Sequence, residues 1–536
     1  MLKQTYNWEV VMKYQTPEGL EQLIKYIVSL DSRSGTQGEI QFPHNIKDLL
    51  LELDYFKKND KNIELHDAGD DLSVLTALYD SGKQDAQTLV IMSHYDTVHT
   101  NDFGTYEHIA RDVDALTKTY KTLNDFPLEV QQDIDSDKYL FGRGVMDMKM
   151  GLAQHIRMIE KASVEQLPVN LLLLTVPDEE VDSKGMRTAT TVLNKIRKER
   201  NLNYALILNS EPSFMQTPND PNYYIYTGSI GKIMPAALSY GVETHVGEPL
   251  KGLNALFMAS MLNTHMEYQT DFNEEVYGEQ TPLPITLRSD DLKMDYNTQV
   301  THHVASIYNV FTMQRSANEV FSIFNQVVDD AIEDMMEKYS SACRASNIEP
   351  TLSIKKMTYE ALLNHAYEKL GRTAVEEIIQ ESIQLKDMRQ QSFDIVTKLL
   401  QRMKELTPAV VTMFAPPYYP AVNNTDHPLI EQLIELTKTH VDDVKVMHYF
   451  NGISDLSYVD YEDDDASFTD YEKNTPVYDK TYHIPFEDMK ALNTPFINIG
   501  PFGKDPHKYT ERLHKKHAFV TTTKLLDDVM TQFYTI

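Results

Sequence analysis

The stretch "TLVIMSHYDTV", residues 88–98, is an apolar run rich in β-forming residues, followed by a histidine and an aspartate two places apart. Side chains alternate along a strand, so His94 and Asp96 point to one side and Tyr95 points to the other. A carboxylate can then hold one imidazole nitrogen while the other nitrogen stays free for a metal ion. The stretch therefore predicts a strand that carries a metal ligand at its carboxyl end.

Two other apolar runs in the first 230 residues end in the same way. They are "VNLLLLTVP" (169–177), which is followed by Glu179 and Glu180, and "YALILNSEP" (204–212), which contains Glu211. Helical patterns separate these runs, and such alternation is typical of an α/β domain with a mostly parallel sheet flanked by helices. Open α/β sheets bind ligands at the carboxyl ends of their strands, so we expect the three glutamates to lie near His94.

Asp147 follows a short glycine-containing turn, "GRG" (142–144), and begins a helical pattern. An aspartate at a helix start is usually only a cap, but its place beside the other carboxylates makes it a further candidate ligand. The turn is too short for a Gly-x-Gly-x-x-Gly fingerprint. A Rossmann-type nucleotide enzyme is therefore excluded.

The pattern changes near residue 229, where strands, a glycine-rich loop and helices follow one another in an order that suggests a compact α+β sandwich. We expect this domain, residues 229–358, to be inserted into a domain built from residues 1–228 and 359–536. Three later apolar runs are expected to complete the sheet of the first domain: "AVVTMFAPP" (409–417), "DVKVMHYF" (443–450) and "PFINIG" (495–500).

Composition limits the possible partners and compartments. The chain has 536 residues, 41% hydrophobic and 24% charged, and a formal net charge of -30, which would repel nucleic acid and anionic membrane surfaces. No apolar run approaches the roughly 20 residues of a membrane span. One cysteine excludes an intrachain disulfide, and residues 1–30 lack the apolar core of a secretion signal, so a cytoplasmic protein is expected.

Six motifs in order carry a family resemblance: "SHYDTV", "GRGVMDMKMG", "PDEEVDSKGMR", "NSEP", "GVETHVGEPLKGLNA" and "NIGPFGKDPHKYTER". Together they resemble the M20 family of dinuclear metallopeptidases and amidohydrolases. The chain length and the strings "APPYYP" and "GISDLSYVD" are most similar to the RocB-type branch, which serves arginine utilisation. The resemblance implies a zinc-exopeptidase-like catalytic domain with an inserted lid or dimerisation-type domain.

The resemblance also implies a role for each candidate residue. His94 and Glu211 would bind one metal ion, Glu180 and His507 the other, and Asp147 would bridge the two. Glu179 would be the general base, Asp96 would hold the imidazole of His94, and His245 of the inserted domain would reach the substrate. Imidazole and carboxylate ligands without thiolate suit two divalent ions, zinc first, with manganese or cobalt as alternatives.

The expected function is hydrolysis of a peptide or N-acyl amide bond in a small amino-acid-derived substrate by metal-activated water. Dimeric relatives make a homodimer one possible assembly. The alternative is a noncatalytic binding or regulatory protein on the same scaffold. A long segment between His94 and Asp147, "HTNDFGTYEHIARDVDALTKTYKTLNDF" (99–126), is an addition to compact relatives, and we expect it near the mouth of the site.

Overall fold

The computed structural model describes residues 12–217, 220–292, 299–462 and 466–534. Residues 1–11, part of the stretch from which the absence of a secretion signal was predicted, lie outside the described residues. The chain forms two compact units. The first unit contains the described residues up to Ser229, with Asn423–Tyr461 and those from Pro485 on, and the second contains those of Ile230–Val422 and Glu462–Ile484.

Twenty-two strands are present in the described residues. In chain order they are β1 (Ile63–Gly69), β2 (Leu72–Tyr79), β3 (Gln87–His94), β4 (Tyr139–Phe141), β5 (Asn170–Val176), β6 (Asn203–Asn209), β7 (Ser213–Phe214), β8 (Tyr223–Tyr226), β9 (Gly228–Ser229), β10 (Gly231–Ile233), β11 (Pro235–Tyr240), β12 (Glu275–Val276), β13 (Glu279–Gln280), β14 (Ile285–Asp291), β15 (His303–Thr312), β16 (Lys355–Thr358), β17 (Ala409–Phe414), β18 (Val422–Asn423), β19 (Val444–Met447), β20 (Phe496–Asn498), β21 (Phe502–Lys504) and β22 (Arg512–His514).

The same residues form sixteen α-helices. In chain order they are α1 (Pro17–Ser29), α2 (Gln37–Leu51), α3 (Asp54–Lys58), α4 (Val113–Tyr120), α5 (Leu128–Asp135), α6 (Lys149–Glu165), α7 (Lys184–Arg200), α8 (Ala255–Met266), α9 (Ala317–Ala345), α10 (Tyr359–Leu370), α11 (Arg372–Ser382), α12 (Met388–Arg402), α13 (Pro428–His440), α14 (Thr469–Asn474), α15 (Phe486–Leu492) and α16 (Thr522–Thr531).

The first unit is built on an eight-stranded sheet with the order β1-β2-β5-β3-β6-β20-β8-β19. Its centre is parallel, because β3 pairs in parallel with β5 on one side and with β6 on the other, and β6 pairs in parallel with β20. The central strands are buried leucine, isoleucine and valine runs, as expected for a sheet covered by helices on both faces. The predicted α/β class is confirmed.

Parallel pairing brings the carboxyl ends of β3, β5 and β6 to one edge of this sheet. A second, four-stranded sheet of the same unit has the order β4-β22-β21-β7. Its strand β4 precedes the turn that contains Asp147, and its hairpin β21–β22 contains His507. The five predicted metal ligands end, follow or connect strands of these two sheets.

The second unit contains a sheet with the order β10-β15-β11-β17-β16, in which β14 also pairs with β15. The expectation that "AVVTMFAPP" completes the first sheet is wrong, since β17 pairs with β11 and β16 of the second unit. The predicted insertion 229–358 matches the start of this unit at Ile230, but the unit continues to Val422 and takes up Glu462–Ile484. The other two runs, as β19 and β20, do join the first sheet.

The one cysteine, Cys343, is a buried free thiol on the 29-residue helix α9. This helix begins with a capping box, in which the Ser316 side chain accepts from the Glu319 backbone N–H and the Glu319 side chain accepts from the Ser316 backbone N–H.

Among the described residues, no helix combines the length and the apolar character that crossing a membrane requires.

Candidate metal centre

His94 ends β3 and is 2% exposed, with its two ring nitrogens in different surroundings. Its Nε2 lies 3.3 Å from Asp147 Oδ1 and 3.4 Å from Glu211 Oε1. Its Nδ1 lies 3.0 Å from the backbone oxygen of Asp96 and 3.6 Å from the carboxylate of that residue. The ring is therefore oriented mainly by the backbone of Asp96, and Nε2 faces two carboxylates.

His507 lies on the other side of Asp147, in the loop between β21 and β22. Its Nε2 is 3.2 Å from Asp147 Oδ2 and 3.1 Å from Glu180 Oε2. One oxygen of Asp147 thus faces each histidine, and single ligand atoms of His94, Asp147 and Glu180 all lie within 4.8 Å of one another. The arrangement is two groups of three donors that share the carboxylate of Asp147.

Each carboxylate of this cluster follows a buried element that fixes its backbone. Glu211 comes directly after β6, where its N–H donates to Asn498 Oδ1 over 2.7 Å and its carbonyl accepts from Asn498 Nδ2 over 2.9 Å. Asp147 lies in the turn before α6, and its peptide bond to Met148 is cis. Glu179 and Glu180 come shortly after β5.

Burial and the crowding of charges shift the pKa values of the cluster, so that those of Glu179, Glu211 and His507 are raised and that of Asp147 is lowered. Burial raises the pKa of Glu211 and of Glu179 well above the usual range, and neighbouring carboxylates add to the effect. Burial would also raise the pKa of Asp147, but hydrogen bonds from His507 and His94 outweigh it and lower that pKa far below its usual value. Burial lowers the pKa of His507, yet Asp147 and Glu180 raise it to about 11.

This pattern fits a site for divalent cations. Three carboxylates and two imidazoles converge without a thiolate, which is a donor set suited to zinc, manganese or cobalt. Bound cations are the largest charges in such sites, and they would neutralise the converging carboxylates. The residues present therefore fit divalent metal ions.

The carboxylate of Asp96, which lies 3.6 Å from His94 Nδ1, also has partners that the sequence did not predict. Oδ1 accepts from the backbone N–H of Glu179 over 3.0 Å, and Oδ2 accepts from the backbone N–H of Glu180 over 3.2 Å and from Ser34 Oγ over 2.8 Å. Asp96 is fully buried, so its charge needs these donors. Its side chain therefore holds the backbone of the glutamate pair.

Glu39 extends the same network and was not singled out from the sequence. Its Oε1 accepts from the backbone N–H of Asp178 over 3.0 Å, and its Oε2 accepts from Gly35 N–H. Burial, together with the nearby carboxylates of Asp96 and Asp178, raises the pKa of Glu39 to about 8. Two buried carboxyl groups thus take the successive N–H groups of residues 178–180. The motif "SGTQGE" (34–39) contains Glu39, but nothing in the string marks this contact.

Asp455 is a second residue that sequence reasoning missed. It begins a 3-10 helix, Asp455–Tyr458, and is buried in the first unit. Burial raises the pKa of Asp455 to about 7, although the nearby Ser183 hydroxyl opposes the shift. Its charge also raises the pKa of Glu179 and of Glu211, so it belongs to the surroundings of the cluster.

His245, the remaining predicted residue, lies in the second unit on an exposed segment after β11. Its Nδ1 accepts from the backbone N–H of Gly247 over 3.1 Å, and the residue forms an isolated β-bridge with Gln299. The five candidate ligands and Glu179, in contrast, all belong to the first unit.

Comparison with known proteins gives matches over most of the chain. The model of peptidase family M20/M25/M40 matches residues 90–468. The uncharacterized protein YqjN of Bacillus subtilis is 35% identical over 530 residues, which cover 96% of this chain and 96% of that protein. Protein RocB of the same organism is 29% identical over 526 residues, covering 94% of this chain and 92% of RocB.

Solved structures show the same fold. An M20 family metallo-carboxypeptidase, Sso-CP2 from Sulfolobus solfataricus, aligns with a TM-score of 0.54 at 11% identity, covering 96% of this chain and 99% of that one. At so low an identity the alignment compares the course of the backbone alone.

Proposed function

This chain belongs to the peptidase family M20/M25/M40, and on that basis we propose that it is a dinuclear metal-dependent hydrolase of small amino-acid-derived amides. The bond cleaved is a peptide bond or an N-acyl amide bond. The observation that carries the proposal is the shared position of Asp147, with one carboxylate oxygen 3.3 Å from His94 Nε2 and the other 3.2 Å from His507 Nε2.

In this proposal His94 and Glu211 would hold one ion, Glu180 and His507 would hold the other, and Asp147 would serve both. Zinc is the first choice, with manganese or cobalt as alternatives. When bound, a pair of such ions polarises the scissile carbonyl and lowers the pKa of water toward about 7. The protein fixes the donors in advance through β3, β6 and the β21–β22 hairpin.

Glu179 is proposed as the general base. It takes the proton of the attacking water and passes it to the nitrogen of the leaving amine, so that the amide bond breaks as the new carboxylate forms. Support comes from its place beside Glu180 and from the charge of His94, which acts on the buried Glu179 carboxyl. The Asp96 carboxylate, 3.0 Å from the Glu179 N–H, supports a positioning role for Asp96 toward this base.

His245 is proposed to contact the substrate, as its place in the family pattern implies. Its imidazole is exposed and only one ring nitrogen, Nδ1, accepts a backbone hydrogen bond, so Nε2 is available to donate to a substrate oxygen. The similarity to RocB over nearly the whole chain supports a finer form of the proposal, in which the substrate is a small peptide or N-acyl amino acid of arginine utilisation.

The test is an activity screen of dipeptides and N-acyl amino acids with the purified chain loaded with zinc, manganese or cobalt. We expect metal-dependent release of a free amine from at least one substrate class. Glu179→Gln should retain two ions per chain and lose about 10²- to 10⁴-fold in turnover, the usual contribution of a positioned base. Glu199→Gln, at an exposed glutamate of α7, is the matched control.

Turnover by Glu179→Gln at the wild-type rate would remove Glu179 from the mechanism. No hydrolysis of any substrate by wild-type protein that carries two ions would contradict the proposed reaction while leaving the metal centre intact.

A further inference from the structure

We propose that residues 101–135 form a brace that positions His507 through Arg143, the positioning residue that contacts both the brace and the backbone of His507. The brace contains the 3-10 helix Asn101–Ile109 and the helices α4 and α5. The proposal rests on the dinuclear centre described above and gives a role to the long segment between His94 and Asp147. It predicts that damage to the brace weakens the binding of one metal ion and leaves the binding of the other unchanged.

His507 needs support from its surroundings. Its backbone has a φ of +62°, a left-handed conformation that costs a non-glycine residue free energy and persists only when neighbouring structure enforces it. Its side chain is 50% exposed, so packing does not fix the imidazole. The other histidine of the centre, His94, is 2% exposed and is held within β3. The two ions therefore depend on differently supported ligands.

Arg143 supplies support at the backbone of His507. Its guanidinium Nη2 donates to the carbonyl oxygen of His507 over 3.3 Å and to Asp102 Oδ1 over 2.8 Å, while Nη1 donates to Glu511 Oε2 over 2.9 Å. The guanidinium also lies 5.1 Å from the ring centroid of Phe103. Asp102 and Phe103 of the brace thus orient a cation that is 1% exposed and that contacts the metal-ligand loop directly.

Two other contacts join the brace to the same hairpin. The Tyr120 hydroxyl of α4 donates to the carbonyl oxygen of Tyr509 over 2.7 Å. On α5, Asp133 accepts from Lys504 Nζ over 2.9 Å and from Arg512 Nε over 2.8 Å. Lys504 ends β21 and Arg512 begins β22, so the brace contacts both strands of the hairpin and the loop between them.

The remaining ligands are supported by other elements. Asn498 of β20 pairs with the backbone of Glu211, and Asp96 holds the backbone of Glu180. Glu511 links Arg143 to the turn before Asp147, because Glu511 Oε1 accepts from the N–H of Met146 over 3.3 Å. Removal of Asp102 would leave that Arg143–Glu511 contact in place. Removal of Asp102 should therefore disturb the position of His507 rather than that of the shared Asp147.

The experiment measures zinc per full-length chain across a series of free zinc concentrations set by a chelator. The test variants are Asp102→Ala and the double variant Asp102→Ala with Tyr120→Phe. Asp114→Ala is the matched control, since the Asp114 side chain on α4 is 73% exposed and pairs with Lys25 rather than with the β21–β22 hairpin. Asp102→Asn, with nearly unchanged shape, is the second variant in case the alanine variants fail to fold.

We expect wild type and Asp114→Ala to bind two ions with unchanged affinities. The Asp102 variants should retain one ion at wild-type affinity and bind the other about 10- to 100-fold more weakly, the range typical of groups that orient metal ligands. Equal weakening of both ions, or unchanged binding of both, would overturn the proposal. A wild-type chain that binds fewer than two ions would instead refute the dinuclear centre itself.

Discussion

At the scale of single residues, the candidate site depends on carboxyl groups whose partners are backbone N–H groups. Asp96 and Glu39 together accept from three successive amides, those of residues 178–180. Loss of either partner leaves a buried donor or acceptor without its hydrogen bond. This lowers the stability of the protein, because water cannot replace the bond. The position of Glu179 and Glu180 is thereby tied to two residues that do not themselves face the proposed ions.

The first prediction concerns Glu39. Glutamine has one oxygen acceptor in place of two, so Glu39→Gln leaves the amide N–H of Gly35 or Asp178 without its acceptor. We expect a loss of about 1–3 kcal/mol in the free energy of unfolding and about a tenfold lower kcat, with KM little changed. Unfolding in urea and steady-state kinetics measure the two effects. Glu199→Gln is the control, and a tenfold rise in KM alone would contradict a positioning role.

The sequence predicted the members of the candidate cluster better than their contacts. His94, Glu179, Glu180 and Glu211 could be grouped because each ends or follows a strand-like run, and parallel strands bring those ends together. The partners of the Asp96 carboxylate could not be predicted, since backbone amides are present at every position and leave no mark in the sequence. Glu39 was missed for the same reason.

At the scale of secondary-structure elements, local pattern identified strands but did not determine their neighbours. The runs that became β3, β5, β6, β19 and β20 were assigned to the right sheet, whereas β17 was not. An apolar strand buried on both faces looks the same in any sheet. Its pairing depends on the register with β11 and β16, which is a tertiary property.

Helix α6 gives a prediction for pH. Its His155 is fully buried, with Nε2 2.9 Å from Ser210 Oγ, and burial lowers its pKa from 6.5 to about 3. Between those values the unfolded chain binds a proton that the folded chain does not. The contribution of buried, neutral His155 to the free energy of unfolding is therefore complete above pH 6.5 and is lost progressively as the pH falls toward 3.

We expect His155→Gln to lessen this loss. Urea unfolding with EDTA, which removes the metal ions, should show a smaller difference in the free energy of unfolding between pH 7.5 and pH 5 for the variant than for wild type. One pKa unit corresponds to about 1.4 kcal/mol, so the difference is measurable. His44→Gln, at an exposed histidine of α2, should behave as wild type. Identical pH profiles for wild type and His155→Gln would contradict the prediction.

At the scale of the whole molecule, the residues proposed for the reaction come from both units. The candidate ligands and the base belong to the first unit, and His245 belongs to the second. Removal of a group that stabilises developing charge on a substrate oxygen typically lowers turnover by about 10²- to 10³-fold. We expect a loss of this size for His245→Ala, with two ions per chain retained.

Kinetics and metal analysis of the same preparation measure both quantities. His265→Ala is the control in the second unit, because His265 pairs with Asp334 on the surface. Metal loss in His245→Ala would indicate a role in ion binding instead. If the chain is a homodimer, sedimentation of wild type should give twice the 61.7 kDa chain mass. Mixing the His245→Ala and Glu179→Gln variants should then restore activity only if the imidazole comes from the neighbouring subunit.

The single cysteine has a practical consequence for such experiments. Cys343 is buried on α9, and the chain contains no other thiol. Maleimide dyes react with accessible thiolates, so the wild-type surface should remain unlabelled. One new cysteine at an exposed position of each unit could then be labelled with a donor and an acceptor fluorophore. Energy transfer between the two dyes would report any domain movement during turnover, and Cys343 would not have to be replaced first.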